Sequence, residues 1–290
     1  MSGLVLAGGG HSHALVLRRW AMQPDHRPSE LITLVNRTST ALYSGMVPGL
    51  IAGIYQRDQV AVDLRKLADQ ACVALVVADI TGLDLQNREL QLAERPALNY
   101  EHLSLNLGAI ISSSPAPTPG LVPIKPLEPA LAFLADQDEQ MGKSTVANSP
   151  FQVVGSGLAA VETVLALRQR WPSRPLVLRS RPRHLKPVLI RALREASIEI
   201  RETSELDQTE ELKTTPGLVC TGSRAPHWLA ESGLPCCPNN GRIRTEMSLQ
   251  VIEQPKLFAA GDCAVIDAHP RGPSGVWAVR AAAPLARNLE

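Results

Sequence analysis

The chain has 290 residues, and 29 lysine and arginine residues stand against 28 aspartate and glutamate residues, which gives a formal net charge of +1. This balance excludes the global positive field that recruits nucleic acid or an anionic membrane. Because hydrophobic cores split beyond roughly 250 residues, the length favours two domains. The start lacks the basic region of a signal peptide, and no apolar run approaches the roughly 20 residues that span a bilayer. We therefore expect a soluble, cytoplasmic protein without a transmembrane segment.

The first element is an apolar run over residues 4–7, which breaks into three glycines and continues with helical spacing over residues 11–20. The pattern predicts a strand, a tight turn and a helix, the opening of a dinucleotide-binding unit. Glycine lets the backbone approach a pyrophosphate, and the amides and dipole of the helix start attract the anion. The cofactor-binding residues predicted in this turn are Gly8, Gly10, His11 and Ser12. His13 stands where a third glycine or alanine usually lets helix and strand pack closely.

A second strand is predicted at residues 31–35, an apolar, β-branched run that closes the first βαβ unit. An acidic residue usually follows this strand and accepts both ribose hydroxyls, but here Asn36 and Arg37 follow. Asn36 can still hydrogen-bond a ribose, without the strength of a charged acceptor. Asn36 and Arg37 are therefore the cofactor-binding candidates at this strand end.

Short apolar strands broken by Gly82 and Asn87 predict a small β-meander over residues 74–92. A further strand, at residues 103–107, ends at Gly108, which we include among the cofactor-binding candidates. Six prolines lie between Pro115 and Pro129. Proline removes backbone donors and stiffens the chain, so this stretch is predicted to cross between domains rather than to form part of a sheet.

The strand, glycine turn and helix recur from residue 151, with Gly155, Gly157 and Ala160 in the three positions of the fingerprint. Two such matches in one chain are much harder to obtain by accident than one. The following strand is predicted at residues 176–178 and leads into Arg179, Ser180 and Arg181. An acidic residue there favours NAD, whereas arginine neutralises the 2′-phosphate of NADP. Arg179 and Arg181 therefore favour NADP, and a solvated basic turn is the alternative.

The five cysteines form neither a C-x-x-C pair nor a zinc spacing, and their odd number argues against a disulfide framework. Cys236 and Cys237 are adjacent, which leaves a redox dithiol open, with two ordinary loop cysteines as the simpler interpretation. His11 and His13 have no carboxylate or cysteine beside them in the sequence. We expect no metal site.

Near the C-terminus, residues 258–264 resemble the second flavin motif of the pyridine nucleotide-disulphide oxidoreductase superfamily, in which an aspartate after glycine holds the ribitol chain of FAD. These two positions are Gly261 and Asp262. Residues 221–226, which include Gly222, resemble the strand-end motif that returns the chain from the nicotinamide domain. The strings at residues 8–13, 43–49, 103–108 and 275–280 resemble flavoproteins similar to type II NADH dehydrogenases, in particular the form fused to selenide, water dikinase.

The resemblance implies an α/β fold of two Rossmann-like lobes with parallel sheets and a small β-meander. A nicotinamide domain at residues 119–237 would be inserted into an FAD domain formed by residues 1–118 and 238–290. The implied cofactors are FAD and NADH or NADPH, and a longer natural chain could continue into a selenide, water dikinase domain. Three residues depart from the pattern: Asn36, His13, and Asn106, which lies where the subgroup tends to have an aspartate.

The implied function is an FAD-dependent oxidoreductase that accepts hydride from NAD(P)H and passes electrons to an unknown small-molecule acceptor without a redox-active dithiol. A link to selenium or sulfur metabolism follows by association alone. The resemblance also implies roles for three residues. Asp262 would hold the ribitol, and a helix beginning near Val276 would direct its amides at the flavin pyrimidine edge. Glu162 would fix the nicotinamide carboxamide, with a glutamate that merely suits the helix dipole as the alternative.

Two other functions stay open. One is a flavin- or nucleotide-binding regulatory or partner-docking domain with little or no turnover, which the absent acid at Asn36 favours. The other is sulfide oxidation with quinone as acceptor, which needs well-placed cysteines near the flavin.

Overall fold

The computed structural model of the chain describes residues 3–111, 120–141, 149–181, 183–202 and 214–290. The chain divides into two compact units. Unit 1 consists of Met1–Gly45, Ala61–Ala109 and Arg224–Glu290, and unit 2 consists of Met46–Val60 and Ile110–Ser223.

The strands, in chain order, are β1 (Gly3–Ala7), β2 (Ile32–Asn36), β3 (Thr40–Leu42), β4 (Ala61–Asp63), β5 (Ala74–Val77), β6 (Ile80–Asp84), β7 (Glu89–Leu92), β8 (Arg95–Leu105), β9 (Ile110–Ile111), β10 (Leu121–Pro123), β11 (Phe151–Val154), β12 (Leu176–Ser180), β13 (Glu199–Glu202), β14 (Gly217–Val219), β15 (Ser223–Arg224), β16 (Ile243–Thr245), β17 (Gln250–Val251), β18 (Gln254–Ala259) and β19 (Ala264–Ile266). The helices are α1 (His11–Met22), α2 (Val47–Ile51), α3 (Arg57–Val60), α4 (Leu64–Gln70), α5 (Leu127–Met141), α6 (Leu158–Arg170), α7 (Pro187–Glu195), α8 (Trp228–Glu231) and α9 (Gly275–Leu289). Within the described ranges, no helix combines the length and the apolar character needed to cross a bilayer.

The main sheet of unit 1 has the strand order β19-β16-β17-β18-β8-β1-β2-β5. The long strand β8 belongs to two arrangements. Its first half pairs antiparallel with β7 in the β6-β7-β8 meander, and its second half pairs parallel with β1 and β18. Ala7, Leu105 and Ala259 are therefore in register at the carboxyl ends of three neighbouring strands. This register places the residues that follow each strand at one edge of the sheet.

Alternate residues of β1 face two different hydrophobic clusters, as expected for a strand buried on both sides. Leu4 and Leu6 pack in one cluster with Trp20 of α1 and residues of α9. Val5 and Ala7 pack in the other, which contains the meander. Because each fully buried leucine contributes about 2 kcal/mol, this packing fixes the first strand and its helix firmly.

Unit 2 has a five-stranded parallel sheet in the order β10-β14-β11-β12-β13. One hydrophobic core includes buried residues of α5, α6 and α7 together with Phe151, Val153 and Leu178 of the sheet. The parallel strand pairs of both units and the meander confirm the predicted α/β fold.

The prediction that the proline-rich stretch lies outside any sheet is wrong for Leu121–Pro123, which forms β10 and pairs in parallel with β14. β10 is an edge strand. An edge strand tolerates proline because one side of its backbone needs no ladder partner. Pro115, Pro117 and Pro119 lie outside the described residues.

The boundaries of the compact units differ from the predicted boundaries at residues 118 and 237. Unit 1 includes residues 224–237, because Leu229 and Leu234 are buried in the hydrophobic cluster of the meander. Unit 2 includes Met46–Val60, whose Ile51 side chain is buried in the core of that unit. Arg170 of α6 also donates to the Ile51 carbonyl at 2.9 Å. Packing between residues distant in sequence therefore sets the observed division.

Candidate functional site

The first glycine turn joins β1 to α1. Gly8 has a φ of +94°, a backbone region that favours glycine, and its N–H donates to the Val35 carbonyl at 2.8 Å. A Cβ added at Gly8 or Gly10 would lie 2.5 or 2.2 Å from atoms of Asn106. The turn therefore requires glycine at both positions because it packs directly on Asn106.

His13 is the third residue of α1 and is fully buried. Its Nδ1 lies 2.6 Å from the Gly8 carbonyl oxygen, and its Nε2 lies 2.8 Å from Ser104 Oγ. A carbonyl can only accept, so Nδ1 carries the proton and Nε2 accepts from the Ser104 hydroxyl. Burial lowers the pKa of His13 to about 4, which keeps the ring neutral near pH 7. Where a third glycine would allow close packing, His13 instead forms one hydrogen bond to the glycine turn and one to β8.

Ser12 and His11, both predicted to bind cofactor, are held by the protein through their side chains. Ser12 Oγ donates to the Ala278 carbonyl of α9 at 2.7 Å, so its hydroxyl proton is already engaged within the protein. His11 Nε2 accepts the Ser44 N–H at 3.1 Å. For anion binding, Ser12 therefore offers its backbone position in the first turn of the helix, where N–H groups lack intrahelical acceptors.

Asn36 and Arg37 lie at the end of β2, next to the glycine turn. Asn36 Oδ1 accepts the Gly9 N–H at 2.8 Å, and Asn36 Nδ2 donates to the Thr38 carbonyl at 2.8 Å. Arg37 pairs through Nε with Asp79, and both side chains are largely exposed. Asn36 therefore braces the turn, which reduces what it can offer to a ribose.

The turn after β18 contains Gly261 and Asp262, the residues of the predicted flavin motif. Gly261 has a φ of +75°, and a Cβ there would lie 2.4 Å from Asn106 Nδ2. Asn106 is 2% exposed and donates through Nδ2 to the Ala260 carbonyl at 2.7 Å. The structure therefore brings the Gly261-Asp262 turn and the first glycine turn into contact with one side chain.

Arg242, which precedes β16, contacts this turn and was not singled out by the sequence analysis. Its Nε donates to the Asp262 carbonyl at 3.2 Å, its Nη1 to the Arg271 carbonyl at 2.6 Å, and its Nη2 to the Ala264 carbonyl. Burial lowers the pKa of Arg242, and the Asp262 carboxylate opposes that shift. The guanidinium therefore holds the backbone at Asp262 and at two positions after it. No local motif marks it, because the partners of its guanidinium lie at least 20 residues away.

Val276 and Gly108 lie in open surroundings. Val276 is the second residue of α9 and is 57% exposed. Gly108 has a φ of +71°, and a Cβ there would meet no heavy atom within 4 Å. Both positions in unit 1 can therefore admit a neighbouring group.

The glycine turn of unit 2 joins β11 to α6. A Cβ at Gly155 would lie 3.0 Å from both the Ala160 Cβ and the Cys220 carbonyl oxygen, so glycine allows the helix to approach the sheet. A Cβ at Gly157 would meet nothing within 4 Å. Open space beside a helix start is what a phosphate needs to reach the first amides.

The two arginines at the end of β12 have different environments. Arg179 is 4% exposed, and its Nε donates to Gln152 Oε1 at 2.6 Å. Arg181 is exposed, and its N–H donates to Ser156 Oγ of the glycine turn at 2.8 Å. To meet a 2′-phosphate the Arg179 guanidinium must therefore leave its present contact, whereas Arg181 already stands at the surface.

Glu162 and Gly222 complete the predicted residues of unit 2. Glu162 is exposed and is the fifth residue of α6, beyond the first turn. Since the effect of the helix dipole falls off within the first turn, the alternative role as a dipole partner is weakened. Gly222 follows β14 with a φ of +51°.

All five cysteines are free thiols. Burial raises the pKa of Cys220 to about 12 and the pKa values of Cys236 and Cys263 to about 11. The described residues contain no group of three or more His, Cys, Asp or Glu side chains arranged to hold a metal ion.

Two surface cavities, of about 420 and 350 Å³, lie apart from these turns. The larger is lined by residues of α7, and the smaller by Gln23 and residues of α1 and α9. The glycine turns are therefore identified by backbone geometry and packing rather than by enclosed volume.

Three solved structures with a similar fold illustrate the comparison. They are the reduced CoADR-RHD of Bacillus anthracis, the water-forming NADH oxidase of Lactobacillus brevis bound to NADH, and an engineered NADPH oxidase derived from that enzyme and bound to NADPH. Sequence identities are 17%, 17% and 18%, and TM-scores are 0.81, 0.77 and 0.77. The alignments cover 99%, 100% and 99% of this chain but 56%, 69% and 69% of those proteins. The similarity shows the fold, and the chain spans little more than half of the first structure.

A comparison with curated protein sequences gave no significant match. The family model described as pyridine nucleotide-disulphide oxidoreductase matches residues 7–283, a range that contains both glycine turns and the Gly261-Asp262 turn. The chain therefore belongs to the pyridine nucleotide-disulphide oxidoreductase family.

Proposed function

We propose that unit 1 binds FAD, that unit 2 binds NADPH, and that the protein passes electrons from this pair to a small-molecule acceptor. One observation carries the proposal. Each unit has a strand, a glycine turn and a helix on a parallel sheet, and in unit 1 the Gly261-Asp262 turn lies against the same side chain as the glycine turn. A single nucleotide site would need only one such turn.

For FAD, the residues of unit 1 offer a consistent set of contacts. The pyrophosphate would lie at the start of α1, beside Gly10, and the ribitol would lie at Asp262. Amides at the start of α9, near Val276, would stabilise negative charge on the reduced ring. The bound cofactors supply the hydride chemistry, and the chain supplies binding and orientation. Gly222 and Glu162 would contact the nicotinamide in unit 2.

NADPH is favoured over NADH because no carboxylate stands at the end of β12, where Arg179, Ser180 and Arg181 lie. In the engineered NADPH oxidase an alanine was introduced, an aspartate was removed eighteen residues later, and an arginine and a serine were introduced at the next two positions. In this chain Ala160 precedes Leu178, Arg179 and Ser180 by the same distances. The shared spacing supports NADPH as the hydride donor.

A route without a redox-active dithiol is supported by the state of the thiols in unit 1. The Sγ atom of Cys263 lies 3.3 Å from the Ala260 carbonyl oxygen, and burial raises the pKa of this thiol to about 11. Cys236 has a similarly raised pKa. Thiols are poor nucleophiles and poor redox partners when so little thiolate forms near pH 7. The same reasoning disfavours sulfide oxidation through these cysteines.

The finer assignment, to the form fused to selenide, water dikinase, rests on the resembling strings alone. From this assignment we propose that the electron acceptor is a selenium or sulfur species. We also propose that a longer natural chain carries a selenide, water dikinase domain. The cytoplasmic location expected from the sequence stays a prediction.

The second candidate function is a nucleotide-binding regulatory or docking domain with little turnover. One observation favours it: Asn36 offers no charge to a ribose and is engaged with Gly9 and Thr38.

The test begins with the purified protein and its flavin spectrum. Apoprotein is titrated with FAD, and the holoprotein is then mixed anaerobically with NADPH or NADH. Bleaching of the flavin band, faster with NADPH, supports the enzyme. Protein that binds FAD but is reduced by neither donor supports the second candidate, and protein that rejects FAD refutes both flavin assignments. Gly10→Ala should lose FAD, whereas Gly272→Ala, where a Cβ meets nothing within 4 Å, should retain it.

A further inference from the structure

Asn106 follows β8, at the edge where the ends of β1 and β18 are in register. Its side chain is buried, and Cβ atoms at Gly10 and Gly261 would lie 2.2 and 2.4 Å from its amide oxygen and nitrogen. The amide group therefore fills the space between the first glycine turn and the Gly261-Asp262 turn. Glycine on each side makes room for it.

Hydrogen bonds from the same amide reach both turns. Asn106 Nδ2 donates to the Ala260 carbonyl at 2.7 Å, and Oδ1 accepts the His13 N–H, in the first turn of α1, at 3.4 Å. The backbone fixes the position of the side chain, because Asn106 N–H donates to the Ala7 carbonyl at 2.8 Å and Ala260 N–H donates to the Leu105 carbonyl at 3.0 Å. A carboxylate at this position would accept from His13 but would have no proton for Ala260.

We infer that Asn106 is a positioning residue that fixes the first glycine turn and the Gly261-Asp262 turn in one arrangement, and that an amide rather than a carboxylate is required there for FAD binding. The inference rests on the proposed function, since FAD is placed at these two turns. It reverses the expectation from the resemblance, in which aspartate is the usual residue and asparagine a loss.

The decisive substitution is Asn106→Asp. At pH 8 it places a buried carboxylate against the Ala260 carbonyl, and we expect the Kd for FAD to rise at least about tenfold. As the pH is lowered the carboxyl takes a proton and becomes a donor, so affinity should return toward that of the wild type. Quenching of free-flavin fluorescence during titration of the apoprotein measures both effects.

Asn239→Asp is the matched control, because Asn239 is exposed and the change of charge is the same. Its FAD affinity should equal that of the wild type at every pH. Other titratable groups at the site are His13 on α1, Asp262 and Cys263 in the turn, and Arg242 before β16. They are common to the wild type and both variants, so the difference between the two pH profiles reports residue 106. Wild-type affinity of Asn106→Asp at pH 8 would overturn the inference.

A measurement without FAD separates this inference from the proposed function. In the apoprotein, hydrogen exchange of the amides in residues 7–14 and 258–263 should accelerate at least about tenfold in Asn106→Asp and not in Asn239→Asp. If the wild type rejects FAD, the proposed function fails and the exchange data still decide whether Asn106 joins the two turns. Acceleration in one segment only, or in neither, overturns the inference. Should Asn106→Asp fail to fold, Asn106→Ala, whose side chain has neither donor nor acceptor, takes its place: its Kd for FAD should be raised at every pH, and amide exchange should accelerate in both segments.

Discussion

Protonation of His13 should destabilise the protein in mildly acidic solution. The ring is fully buried and its pKa is lowered from 6.5 to about 4 by burial, so the folded state holds it neutral while the unfolded state protonates it. Between these values the unfolded state binds more protons, and stability must fall as the pH falls. The Gly8 carbonyl already takes the Nδ1 proton, and a second proton on Nε2 would displace the one that Ser104 donates.

The size of this loss of stability follows from the lowered pKa of His13. One pKa unit corresponds to about 1.4 kcal/mol, so His13 contributes about 3 kcal/mol of stability above pH 6.5 that is absent below pH 4. At pH 5 about 2 kcal/mol of that contribution should already be lost. Urea unfolding at pH 7.5 and pH 5 measures the free energy of unfolding at each end of the window.

The variant His13→Gln isolates the contribution, since carboxylates elsewhere titrate in both proteins. The wild type should lose about 2 kcal/mol more than His13→Gln between pH 7.5 and pH 5. His269→Gln, at an exposed position, should behave like the wild type. Equal losses in the wild type and in His13→Gln would refute the reasoning, because the buried ring would then be titrating in the folded state at no cost.

Three further predictions concern unit 2. Gly157→Ala should raise the KM for NADPH about tenfold and leave the melting temperature unchanged, because the added Cβ enters open space that the phosphate would use. Steady-state kinetics measures the KM, and calorimetry measures the melting temperature. An unchanged KM would contradict the prediction. Arg181→Ala should reduce the ratio of kcat/KM for NADPH to that for NADH about tenfold, since the 2′-phosphate loses a cation; an unchanged ratio would leave Arg179 as the candidate. Arg174→Ala should lower the free energy of unfolding by about 3 kcal/mol, because the buried guanidinium lies 4.6 Å from the centre of the Trp171 ring and donates to Gln137. Arg191→Ala, at an exposed position, should lower it by less than about 1 kcal/mol. Urea unfolding measures both values.

The elements around each glycine turn could be predicted because their signal is local. An apolar, β-branched run predicts a strand at residues 31–35, and β2 is Ile32–Asn36. The same rule finds the start of β12 at Leu176 and misses its last two residues, because Arg179 and Ser180 are polar yet buried. Long-range hydrogen bonds, here from Arg179 to Gln152, permit that burial and leave no trace in local periodicity.

The boundaries of the units and the contacts inside the site could not be predicted for a related reason. Residues 224–237 carry no motif that assigns them to unit 1. They belong to it because Leu229 and Leu234 are buried in the hydrophobic cluster of the meander. In the site, Asn36 meets Gly9 across 27 residues, and Asn106 meets Ala260 across 154. Motif spacing identified the glycines, whereas the side chains that shape the turns depend on the register of strands.

Asn36 contrasts with Asn106, because the resemblance implies an acid at both positions. Asn36 is partly exposed, and its oxygen accepts the Gly9 N–H at 2.8 Å. A carboxylate strengthens that hydrogen bond, since charged acceptors bind N–H groups more tightly, and it offers a second oxygen to a ribose. The lost bond to the Thr38 carbonyl is exposed and water replaces it.

Asn36→Asp should therefore lower the Kd for FAD by about threefold to tenfold, the range of one added charge-assisted hydrogen bond in a partly exposed site. The same substitution at Asn106 should raise it, because there the amide is a buried donor to a carbonyl. Fluorescence titration of both variants under one set of conditions compares them directly. If Asn36→Asp raises the Kd as well, the role assigned to Asn36 is wrong, and if Asn106→Asp lowers it, the role assigned to Asn106 is wrong.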